Sequence, residues 1–162
     1  MRAYFFGNMY LSSIQQGVQS AHVLAQLFIK YKVGTKANML YDWAANYETI
    51  ILLNGGYSDT IRTLCLFFKN NENPYPWADF HEGADALDGA LTSTGIILPE
   101  KIYLTAAFIR SLPHLKKINI LDNLSSTGIM PIYEDLHNEE EWEISKWEFF
   151  LIQKLNEFSL AK

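Results

Sequence analysis

Tyr10–Tyr31, YLSSIQQGVQSAHVLAQLFIKY, carries two stripes at once. With Ser13 as N-cap, Gln15, Gln19, His22 and Gln26 recur at i, i+4, i+7 and i+11, which stacks them along one face of a helix. Ile14, Val18, Ala21, Ala25 and Phe28 repeat that spacing one residue earlier, so an apolar stripe runs about 100° round the helix from the polar one. The apolar stripe is expected to be core. A solvated face is ordinarily built of lysine and glutamate, whereas a glutamine and histidine face supplies the neutral donors and acceptors that suit a cleft.

The surrounding elements follow the same reasoning. Arg2–Phe6, RAYFF, suits a buried strand, and Gly7 and Asn8 turn into the helix, whose start has the capping-box pattern of Ser13 and Gln16. KVGTKAN breaks that helix, and ANMLYDWAAN can form a second short one. Tyr47–Asn54 is a strand ended by Gly55 and Gly56, and a third helix starts at an N-cap of Ser58 or Asp59 and carries Ile61, Leu64, Cys65 and Phe68. After the proline loop NNENPYPW come a short strand at Trp77–His81, a turn in HEGADALDG and a strand ALTSTGIIL closed by Pro99. That order predicts an α/β fold with a mixed four-stranded sheet flanked by helices over residues 1–99.

Residues 100–162 form an extension expected to pack on that domain. YLTAAFIRSL suits a helix, KINIL a strand, and NLSSTGIMPIY is irregular. From Glu139 an acidic first turn opens a final amphipathic helix whose apolar stripe is Ile144, Trp147, Leu151, Leu155 and Phe158. That stripe fits docking on the same chain, with a homodimer or a protein partner as the second choice.

At 162 residues the chain can bury a real core, and its net charge of -5 argues mildly against a protein whose main task is gripping a phosphate backbone. Cys65 is the only cysteine, which excludes an intrachain disulfide and a cysteine-based metal cluster. Ala3–Ile29 has no Asp, Glu, Lys or Arg, but polar residues interrupt it well short of the roughly 20 apolar residues of a spanning helix. AYFFG is too short for a signal peptide, so the expectation is a soluble, cytoplasmic protein with no membrane partner. The P-loop, G-x-G-x-x-G, G-x-S-x-G and H-E-x-x-H signatures are absent. His22, His81, His114 and His137 lack metal-ligand spacing, and a solvated loop pair explains His81 and Glu82 better than a metal does. The tandem glycines after a strand could expose amides to an anion, though a tight turn needs the same residues.

The order of elements, together with VQSAHV and WADFHEGADALDGALTSTGIILPE, resembles the peptidyl-tRNA hydrolases of the second type. VQSAHV matches the family's A-Q-x-x-H-A core at Gln19 and His22, Asp79 matches its late aspartate, and Thr92 in LTSTGIILP matches its threonine. The likeness covers residues 2–99 and implies the three-layer fold of that family. It implies cofactor-independent cleavage of the ester between a peptide and the 3′ end of tRNA. In that reading Asp79 and Thr92 position or deprotonate water, while His22 and Gln19 orient the substrate and stabilise the oxyanion. Gln15, Gln26 and Glu82 complete the expected ligand-binding set. Gln15 stands where the family has a lysine, so a cation expected at phosphate or oxyanion is missing, and Arg62, Lys36 or Lys69 would have to compensate.

The alternative is an inactive module of the same fold that binds a nucleotide, a tRNA end or a protein partner. Taken singly, each residue also fits a structural role: glutamine is a good helix former, His22 fits a partly buried position, Thr92 any strand, and Asp79 a turn.

Overall fold

The computed structural model describes residues 1–130 and 142–161. They fall into two compact units, Met1–Leu98 with Phe158–Lys162, and Pro99–Glu157.

In the first unit the order is β1 (Arg2–Gly7), α1 (Ser13–Lys30), α2 (Thr35–Asn46), β2 (Ile50–Asn54), α3 (Ser58–Phe68), β3 (Trp77–His81), α4 (Ala84–Leu87) and β4 (Leu91–Leu98). The four strands make one mixed sheet in the order β2-β1-β4-β3, with β1 parallel to β2 and antiparallel to β4, and β3 antiparallel to β4. Every residue of β4 is buried. On one face Ala3, Phe5, Ala78 and Ile97 pack against Val23 and Leu27 of α1 and Leu40 and Trp43 of α2. On the other, Leu91 and Trp77 pack against Ile61 and Cys65 of α3. Phe6 faces Phe68 of α3 and the ring of Phe158. The end of the chain pairs with β2, with Asn54 N donating to Ser159 O at 3.0 Å and Ala161 N to Leu52 O at 3.0 Å.

The expected strands at Arg2–Phe6, Trp77–His81 and ALTSTGIIL hold closely, Tyr47–Asn54 is shortened to Ile50–Asn54 because Tyr47 closes α2 and Glu48 has φ 50°, and the α3 stripe of Ile61, Leu64, Cys65 and Phe68 is buried as the period predicts. Several details change. Tyr57, not Ser58 or Asp59, is the N-cap of α3, because the Ser58 hydroxyl is spent on Leu91 O at 3.2 Å. Ser12, not Ser13, caps α1, in a capping box with Gln15. HEGADALDG contains the one-turn helix α4.

The larger correction concerns the faces of α1. Ile14, Val18, Ala21 and Ala25 point outward and Phe28 is half-buried, while Gln16, Gln19, Ser20, Val23 and Leu27 face the sheet. Each buried polar member makes at least one hydrogen bond, Gln16 and Ser20 to nearby backbone and Gln19 to Glu82, although among the described residues Gln16 Oε1 and Gln19 Oε1 have no partner. Gln16 Nε2 donates to Leu11 O at 3.0 Å, and Ser20 Oγ donates to Gln16 O at 2.8 Å. Gly7 makes room: a Cβ there would lie 3.0 Å from Gln16 Oε1 and 3.1 Å from its Cβ.

The second unit holds α5 (Glu100–Ser111), α6 (His114–Thr127), the two-residue strands β5 (Ile129–Met130) and β6 (Trp142–Glu143), and α7 (Lys146–Leu155). KINIL is helical, contrary to the expected strand. Pro113 at the N-cap and Gly128 at φ 70° bracket it, and the buried pair Ile120 and Leu124 has helical rather than alternating spacing. The expected helix start at Glu139, like His137, lies outside the described residues. Helix α7 begins after Ser145, whose capping box with Glu148 satisfies its first turn. Ile144, Trp147, Leu151 and Leu155 of the predicted stripe are buried. Lys101 Nζ lies 2.8 Å from the buried Glu148 carboxylate. No helix among the described residues is long and apolar enough to cross a membrane.

Gly95 is where β4 crosses the Phe5 ring, and a Cβ at Gly95 would lie 2.6 Å from Phe5 Cε1 and closer still to Cδ1. Gly95→Ala is therefore expected to destabilise the protein by about 1–3 kcal/mol through overpacking, read as a lowered midpoint in urea unfolding. Gly17→Ala, on a helix position with nothing within 4 Å, is the control and should be neutral or stabilising.

Candidate functional site

Strand β3 decides which predicted residues can meet. Successive side chains of a strand point to opposite faces. Ala78 and Phe80 join the α1 side, and Trp77 joins the α3 side, so Asp79 and His81 belong to the α3 side too. His22 is exposed and stacks on Phe80, with ring centroids 4.5 Å apart and planes at 12°. The sheet therefore lies between His22 and Asp79, and the structure does not bring that pair together.

The other expected site residues divide the same way. Gln19 Nε2 donates to Glu82 Oε1, which ties these two to the α1 side. Among the described residues Gln19 Oε1 is buried without a partner. Gln15 spends its amide oxygen on Ser12 N at 3.0 Å in the capping box, and Gln26 is exposed one turn beyond His22. Thr92 is 2 % exposed and sits at the irregularity where the β3 and β4 register shifts. Its hydroxyl donates to Phe80 O at 3.4 Å and its carbonyl accepts from Asn8 N at 2.9 Å, a structural role rather than a proton-handling one.

Asp79 instead opens into a cavity of about 600 Å3 lined by Lys30, Tyr31, Arg62, Cys65, Leu66, Lys69, Trp77, His81 and Leu91. Three elements build it. Arg62 and Lys69 come from one side of α3 and its C-cap, two turns apart, with Cys65 and Leu66 between them. Lys30 and Tyr31 come from the end of α1 and are held by β3: Lys30 Nζ donates to Trp77 O at 2.9 Å, and Tyr31 Oη donates to the same oxygen at 3.1 Å. The Lys30 ammonium also sits 3.8 Å from the centroid of the Trp77 ring, a cation–π contact.

Three cations thus face one carboxylate inside a chain whose net charge is -5. Among the described residues neither Arg62 nor Lys69 has an ion-pair partner. Burial holds the Lys30 ammonium below its usual range, Asp79 opposes that, and the like charges of Lys36 and Lys69 add to it. Burial also lowers Lys36, whose ammonium lies 5.9 Å from the Tyr31 ring. His81 Nδ1 lies 3.1 Å from Gly89 O, an acceptor that requires the proton on Nδ1, and Nε2 lies 3.7 Å from Asp79 Oδ2.

Arg62 and Lys69 were the compensating cations named from the sequence, and both line this cleft. Lys30, Tyr31 and Trp77 were not foreseen, since an aromatic beside a proline loop and a helix C-terminus show no common spacing. Neither the protein-family models nor the curated proteins contain a match to this chain.

Cys65 lines the cleft, yet burial pushes its thiol up to about 11, with the Thr94 side chain opposing. At pH 8 it should hold on the order of a hundredfold less thiolate than a free cysteine, and alkylation by iodoacetamide should be correspondingly slow. The rate is expected to climb as pH approaches 11 and to jump on unfolding in urea, followed by mass spectrometry. Rapid labelling of the folded protein at pH 8 would show the thiol to be activated.

Proposed function

We propose that the protein binds a nucleotide, in the setting of an RNA 3′ end, through the cleft between α3 and β3. The observation that carries this reading is the gathering of Lys30, Arg62 and Lys69 around Asp79, beside the apolar wall of Tyr31, Leu66 and Trp77. Phosphate oxygens suit cations that have no carboxylate of their own, and a guanidinium offers a planar pair of donors to them. The apolar wall suits a base or ribose face. Likeness to the second-type peptidyl-tRNA hydrolases points to the end of a tRNA as the source of that nucleotide. In this reading the positive charge lost at Gln15 is supplied from the opposite side of the sheet.

A second reading, ester hydrolysis at the same RNA end, is favoured by one observation. His81 has its tautomer set by Gly89 O, leaving Nε2 able to take a proton from water attacking the ester carbonyl. The base would then be His81, with Asp79 beside it, and His22 would have no part in the chemistry.

Calorimetric titration with AMP and with the trinucleotide CCA tests binding. Arg62→Ala and Lys69→Ala are each expected to weaken it about tenfold at low salt and to flatten its salt dependence, since each removes one phosphate-neutralising cation. Asp79→Asn should strengthen it by removing the one carboxylate among the described residues that line the cleft. Affinity should decline as pH rises through the lowered pKa of Lys30, because only the protonated ammonium attracts the anion. No heat with either probe, and no response to the variants, would sink the reading. Single-turnover release of an N-acetylated amino acid from tRNA separates the two readings: hydrolysis should be lost in His81→Ala and kept in His22→Ala.

A further inference from the structure

Helix α1 buries one face and leaves the opposite one apolar. Along that outer face Ile14 is 80 % exposed, Val18 49 % and Ile29 62 %, with Ala21 and Ala25 exposed between them. An 18-residue helix is about 27 Å long, so this is a continuous strip rather than scattered apolar residues. Lysine and glutamate would ordinarily stand there.

We propose that this face docks onto the same face of a second copy of the chain, as an antiparallel helix pair about a two-fold axis. Two observations single out a copy as the occupant. The first is charge. From Ala3 to Ile29 the sequence has no Asp, Glu, Lys or Arg, so the face offers nothing to a charged partner and meets no repulsion from an identical neutral one. The second is spacing. Ile14, Val18, Ala21 and Ala25 are separated by four, three and four residues, the same series read in either direction.

A two-fold axis between Val18 and Ala21 therefore sets Val18 against Ala21 of the copy and Ile14 against Ala25. At both positions each large side chain meets a small one, as packed helix faces require, and both such contacts occur twice. A parallel pair would set large against large and small against small. Antiparallel alignment also places each helix N-terminus near the other's C-terminus, where the dipoles attract.

Sedimentation velocity of the full chain tests the association, with twice the 18.6 kDa of one chain expected. Val18→Glu and Ile14→Glu, both at outward positions, should each restore the single-chain mass with an unchanged circular dichroism spectrum. For register, an equimolar mixture of Ile14→Cys and Ala25→Cys chains should form a disulfide-linked pair under mild oxidation. Ile14→Cys alone should not, since the two copies of residue 14 would lie roughly 16 Å apart along the helices. A single-chain mass for the wild type at every concentration, or a pair that survives both glutamate variants, overturns the proposal. A crosslink from Ile14→Cys alone, or none from the mixture, overturns the antiparallel register. The pairing does not depend on the cleft, and nucleotide binding is expected to persist in Val18→Glu.

Discussion

The crossing of β4 over Phe5 constrains the rest of the first unit. Strand β4 is buried along its whole length, bonded to β1 on one side and β3 on the other. A strand in that position cannot shift by one residue without sending its entire alternation to the wrong layer. Gly95 fixes the register, because only a residue without Cβ leaves space for the Phe5 ring. Thr92, Ser93 and Thr94 are buried beside it, and their hydroxyls donate to the carbonyls of Phe80, Phe6 and Ala78. Polar side chains in the core are thus spent on lacing neighbouring strands to β4. Once this register is set, β3 has no freedom either, and Asp79 and His81 must face α3.

How far the fold was legible depends on where one signal outweighed its rivals. Strands β1 and β3 and the stripe of α3 were plain, since composition, turn residues and period agreed there. Helix α1 was legible as a helix but not in its orientation. Its apolar residues form two sets at helical spacing, Ile14, Val18, Ala21 and Ala25 on one side and Val23 and Leu27 on the other, and the longer set is the outer one. Only the backbone bonds made by Gln16 and Ser20 reveal which side can be buried. KINIL shows the opposite failure: a β-branched run outvoted by Pro113 before it and Gly128 after it.

The site was legible in pieces. Asp79, Arg62 and Lys69 were named from the sequence, and all three line one cleft. Their companions Lys30, Tyr31 and Trp77 arrive from elements whose meeting depends on sheet order, β3 being an edge strand beside β4 while α1 runs along its other face. Two bonds to a single carbonyl, Trp77 O, draw the end of α1 around that edge. The expectation that His22 and Asp79 share one site meets the same geometry, since one residue of alternation separates Asp79 from Phe80, against which His22 stacks.

The distribution of charge ties these features together. Helix α1 carries no charge until its final residue, Lys30, and that ammonium enters the cleft. A cation in the last turn is favoured by the helix dipole, which offsets part of the cost of burying it against Trp77. Repulsion from Lys36 and Lys69 adds to that cost, and Asp79, with a smaller contribution from Cys65, relieves it. An arrangement with more cations than carboxylates is less stable empty than filled, because an anion supplies the missing negative charge and raises the affinity of Lys30 for its proton. The cleft therefore has an electrostatic preference that the whole chain, with its acidic balance, does not share.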